Sequence, residues 1–238
     1  MSNLIKAEFY RIKNSSHQLT AIMGLCFLGV LLLFMDDAAS ALTRQSFVST
    51  APMGMVISLM AIGVAIGRHY QNRTGFYEIM DGVSAHKIIL SRLCVYTPLL
   101  IGFYFIPVSV IIMFFDSGSD SVRFLSMLLI IFLRLLVFTV SVCLTFKTGE
   151  GGILPYVRFM AEILPTMLVF HEELDISHGK IMSVLNWLPM FQIYSLAGEI
   201  DGILIMKIIV GFLVEATVMY ALAYTSHRKK WLLKTTLT

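Results

Sequence analysis

The chain has 238 residues, 57% of them hydrophobic and only 14% charged, with a mean hydropathy of +0.81 and a formal net charge of +3. A soluble domain carries about a quarter charged residues; the apolar excess here is gathered in long runs, so lipid is the expected solvent. There is room for one domain, 1–238, and the pI near 8.7 does not point to nucleic acid, because the basic residues sit beside the apolar runs rather than on one soluble face.

In chain order, the first eighteen residues are polar overall, and no small-residue cleavage site follows the first apolar run, so no signal peptide is expected. Within residues 2–16, Ile5, Phe9 and Ile12 recur at i, i+4, i+7, one face of a helix, while Lys6, Arg11 and Lys13 lie off that stripe. This reads as a short amphipathic helix in the membrane interface, with its bases toward anionic headgroups. The same charges also fit an ordinary positive flank that sets topology.

The sequence predicts an all-α membrane protein with spans at 19–35, 51–67, 93–115, 124–146, 153–170 and 202–224. A spanning helix needs about 20 residues, so the first, second and fifth are short. Orientation follows from Lys and Arg. With the N-terminus inside, twelve of the eighteen fall in inside segments, and Arg44, Arg123 and Lys180 fall outside. Both termini are then cytoplasmic. Cys26, Cys94 and Cys143 lie in or at the edge of apolar runs and form no C-x-x-C pair, which reads as buried small apolar residues.

The longest inside segment is 68–92. It carries a short helical candidate, Phe76, Tyr77, Glu78, Ile79 and Met80, between Gly75 and Gly82, with Thr74 as N-cap and Asp81 adding negative charge. Such a helix held against the membrane by two spans would make a docking knob for a cytoplasmic partner. A solvated connecting loop is the other reading.

Arg134 in the fourth span, Arg158 and Glu162 in the fifth and Glu215 in the sixth are charges inside apolar runs. Each would cost about 2.5–3.5 kcal/mol facing lipid, so they should face the bundle and pair. Arg134 is expected to pair with Glu162 or with Glu215, and Arg158 with Glu162 at i, i+4. A structural lock and a part in a transport path are both open for them. Candidates for such a path are Met53, Met55, Ser58, Met60 and Ile62 on the second span and Trp187, Phe191 and Tyr194 near the exit. The same side chains are common in cores and at lipid interfaces.

Some chemistry is missing. No G-x-x-x-x-G-K-[ST] occurs; Gly149, Gly151 and Gly152 lack the Lys and hydroxyl that meet phosphates and magnesium. No H-E-x-x-H and no metal-spaced His cluster is present, so neither a metal site nor an enzyme is expected.

The basic amphipathic start (LIKAEFYRIK), six spans and the Arg-x-Gly…Asp-Gly loop after the second span resemble an ABC-transporter permease of the type-2 exporter class. In particular the chain resembles the small six-helix permeases of bacteriocin, lantibiotic-immunity and amphipathic-peptide-toxin export. The resemblance implies a bacterial plasma-membrane subunit working beside a second permease, as homodimer or heterodimer. It implies that ATP and magnesium are bound by a partner ATPase and not by this chain. It makes Arg73 to Lys87 the coupling helix that docks on that ATPase, and places a hairpin of short helices outside, in the apolar run 181–198. The alternatives are an ATP-independent secondary transporter and a membrane protein that binds a peptide for immunity without exporting it.

Overall fold

The computed structural model describes residues 2–34, 44–71, 78, 82–115, 120–146, 153–170 and 183–235, and every element among them is helical. Helix α1 spans Ser2–Asn14 and α2 spans Ser16–Leu31, ending in a 3-10 turn at Leu32–Phe34. Helix α3 is Arg44–Gln71, α4 is Ala85–Leu100, and a π turn at Ile101–Phe105 joins α4 to α5, Ile106–Phe115. Then follow α6, Asp120–Phe146, α7, Leu154–Phe170, the short α8, Pro189–Ser195, and α9, Gly202–Thr235.

This is a multi-pass helical membrane protein. Among the described residues, four stretches are long and apolar enough to cross a bilayer: Phe47–Tyr70, Ala85–Phe114, Asp120–Phe146 and Gly202–Ser226. The other two expected spans are shorter. The apolar stretch of α2 is His17–Leu31, and α7 has 17 residues that include Arg158 and Glu162.

Helices α3 and α6 are the buried centre. Helix α9 packs along α6 but leaves Ile203, Met206, Leu213, Val214 and Val218 exposed, as does α5 with Val110 and Phe114. In water such faces would drive association. In lipid they are the surface itself, because tails are as apolar as leucine.

Two details set the helix geometry. Helices α2 and α3 cross where Gly29 meets Gly54: a Cβ on either would lie 2.7 or 2.5 Å from the other's carbonyl oxygen. Only glycine allows that approach, and small residues at such crossings let membrane helices associate. The π turn lies between Pro98 and Pro107. Pro107 has no N–H for the preceding turn, and the widened turn takes up the mismatch, with the Ile106 N–H donating to the Ile101 carbonyl. It places Tyr104 against Gly29 and Gly54, with its hydroxyl 3.4 Å from the Ala51 carbonyl.

The amphipathic stripe of α1 differs from the expected one. Ile12 is buried and Ile5 packs on the core, but Phe9 is 54% exposed and Glu8 is 3% exposed. Glu8 takes the buried place because α4 supplies Arg92 and Tyr96 opposite it. In the apolar run 181–198, Met190, Phe191, Gln192 and Ile193 of α8 are buried, and α8 packs on α3, α6, α7 and α9.

Candidate functional site

Among the described residues, two polar clusters interrupt the apolar bundle. The first joins α6, α7, α8 and α9. Arg134, 7% exposed near the middle of the 27-residue α6, donates from Nε to Glu215 Oε2 at 2.6 Å. Its Nη1 donates to Gln192 Oε1 at 3.1 Å and its Nη2 to the Trp187 carbonyl at 3.0 Å. Arg158 donates from Nε to Glu162 Oε1 at 2.6 Å and from both terminal nitrogens to Glu215, the Nη2–Oε2 distance being 3.1 Å. The Arg158 guanidinium lies 4.3 Å from the centroid of the Phe138 ring. Glu162 Oε2 accepts the Met190 N–H at 3.3 Å.

Of the two partners open to Arg134, Glu215 is the one it meets. Arg158 to Glu215 is a bond the sequence reading did not raise, and Gln192 and the Trp187 carbonyl were missed. Two arginines and two glutamates make the cluster neutral, and Gln192 is itself fixed by donating to the Asn186 carbonyl at 3.2 Å. Left unpaired in lipid, four such charges would cost on the order of 10–14 kcal/mol, so their pairing is a condition of folding. Space matters too. A Cβ on Gly211 of α9 would lie 2.7 Å from Arg134 Nη1, so glycine there lets the guanidinium cross to Glu215.

The second cluster ties α1, α3 and α4 to the segment after α3. Arg92, 1% exposed, bridges Glu8 through Nη1 and donates from Nη2 to Glu78 Oε1 and Oε2 at 2.8 and 2.9 Å. Glu8 also accepts from Arg11 and, at 3.0 Å, from the Tyr96 hydroxyl. His69 Nε2 at the end of α3 lies 3.5 Å from Glu78 Oε1. Gly82 has φ 75°, open to glycine, and the Val83 N–H donates across it to the Glu78 carbonyl at 3.1 Å. Of the expected docking segment, Glu78, Gly82 and Lys87 are described; Arg73, Gly75, Phe76, Tyr77, Ile79, Met80 and Asp81 lie outside the described residues. Glu8 gave little signal in the sequence, since an acid among Lys6, Arg11 and Lys13 reads as surface charge.

The expected path residues differ in burial. Met55 and Ser58 are fully buried on α3, with the Ser58 hydroxyl donating to the Gly54 and Met55 carbonyls of its own helix at 3.0 and 2.8 Å. Met53 is exposed, Met60 half-buried and Ile62 buried. Trp187 is 40% exposed, Phe191 is buried and Tyr194 is half-buried, its phenol pushed up by burial and so a neutral group at ordinary pH. Cys26 and Cys143 are buried and Cys94 is exposed. No group of His, Cys, Asp and Glu among the described residues is arranged to hold a metal ion.

Comparison with protein-family models, with curated proteins and with solved structures gives no match to this chain.

Proposed function

We propose that this chain is the membrane-spanning subunit of an ATP-driven exporter, with six spans, both termini in the cytoplasm, and a nucleotide-binding partner docked on residues 73–87. The reading is supported by the second cluster. Glu78, inside that segment, is held by the buried Arg92 of α4, and the same guanidinium holds Glu8 of α1. A push on the segment would therefore reach α1, α3 and α4 together through short, charge-assisted bonds. The described residues carry no phosphate-binding loop, so the energy source would sit in the partner, with ATP and magnesium there. A second permease subunit would complete the transport path. Hydrophobic or amphipathic peptides would be the substrate class, as the resemblance to peptide-exporting permeases implies.

The test is copurification with an ATPase followed by transport in vesicles. Arg92→Gln should leave the ATPase bound and hydrolysing while transport falls at least tenfold. Absence of any bound ATPase, with function intact after residues 73–87 are replaced, removes this reading. A second reading, an ATP-independent transporter, is favoured by the charge cluster at mid-helix and the buried short helix α8 beside it. It predicts transport driven by an ion gradient in vesicles that lack ATP.

A further inference from the structure

Helices α1 and α4 run side by side, yet they do not close on each other everywhere. An open cavity of about 590 Å³ is lined from both sides by residues that neighbour the Glu8–Arg92 contact in the chain. Its walls are mainly apolar: Phe9 on α1, and Pro98 and Gly102 on the α4 side. A Cβ added at Gly102 would meet nothing within 4 Å, so the groove is unfilled along that wall.

Lys6 and Lys13 border the cavity on the α1 side. They lie seven residues apart, roughly 10 Å along a helix, and both are exposed. Neither is paired with a carboxylate among the described residues. The acid of the region, Glu8, is already shared by Arg92, Arg11 and Tyr96. The groove thus presents two cations that no described carboxylate compensates above an apolar trough, on a protein whose surroundings are lipid.

We propose that this groove binds an anionic phospholipid, with the headgroup phosphate between Lys6 and Lys13 and one acyl chain laid over Phe9, Pro98 and Gly102. The charge argues for an anionic headgroup over a zwitterionic one, because each lysine near the membrane surface favours anionic lipid. The apolar wall argues for a lipid over a soluble phosphate, which would leave that wall wet. The site stands apart from the mid-helix cluster and from the docking segment, so it holds or fails independently of the transport reading.

Cys94 borders the same cavity and is exposed, whereas Cys26 and Cys143 are buried. It therefore reports occupancy. The full chain would be reconstituted in nanodiscs of phosphatidylcholine alone or with phosphatidylglycerol, and Cys94 alkylation by a maleimide timed. Retained lipid would be counted by native mass spectrometry. Phosphatidylglycerol should slow alkylation severalfold and remain bound after detergent exchange. The Lys6→Gln, Lys13→Gln double variant, at exposed positions that leave the core untouched, should weaken phosphatidylglycerol binding by about thirtyfold. Gly102→Phe should displace the chain and lower retention without removing either charge. Glycerol phosphate in solution should give no protection. Equal protection in both lipids, or an undiminished phosphatidylglycerol preference in the double variant, overturns the site. Protection that follows protein concentration and not lipid composition assigns the groove to a second copy of the chain instead, and overturns it equally.

Discussion

In the mid-helix cluster, two guanidinium groups close on Glu215. Glu215→Gln should leave Arg134 and Arg158 with one acid, Glu162, between them. Breaking a buried pair this way costs about 3–5 kcal/mol, where removing both partners costs far less. Thermal unfolding in detergent should show a large loss for Glu215→Gln. Adding Arg134→Gln should recover part of it, since Arg158 and Glu162 remain a neutral pair. Simple additivity of the two losses would mean that the residues do not couple. Arg134 was legible as a charge that needed a partner. Its choice of Glu215 was not, because the three acceptors it uses come from positions 187, 192 and 215, and only helix packing brings them to one guanidinium.

Helices come together here through what their side chains omit as much as through what they add. Gly29→Val and Gly54→Val should each force α2 and α3 apart, since the added Cβ meets backbone, which cannot rotate away. Overpacking of this kind costs about 1–3 kcal/mol, read as a lowered melting temperature in detergent. Gly24→Ala on the same α2 is the control: nothing lies within 4 Å of its Cβ, so stability should hold. The helices themselves were legible, because apolar runs of this length have few other solutions in lipid. The burial of helix α8 was not read from the sequence, where Pro189 and its short length mask it. Gln192 was the available signal: a polar residue in an apolar stretch whose amide is answered by Arg134.

For the molecule as a whole, the side on which residues 72–81 emerge depends on whether α2 crosses the membrane. Both the four long stretches and the six expected spans are even in number, so matching termini cannot separate them. A cysteine placed at Asn72, in a Cys94→Ser background, does. It should react with an impermeant maleimide only when the reagent reaches the cytoplasmic side. Labelling from outside intact cells would mean that α2 does not cross, and the docking reading of 73–87 would fall with it.

The sequence alone determined that the protein is helical and lives in lipid, since composition and run length follow from the transfer of apolar surface and need no partner. It also determined which residues break the apolar pattern, because Arg134, Arg158, Glu162 and Glu215 stand out against their neighbours. Only the tertiary structure decided how those exceptions are resolved. Arg92 meets Glu8 and Glu78, Arg134 meets Glu215, and the groove beside α1 places Lys6 and Lys13 beside an apolar wall. The physical reason is distance along the chain. Helix periodicity fixes which residues share a face within one helix, but a bond between residues tens of positions apart is set by how the helices cross, and here glycines and buried charges set that.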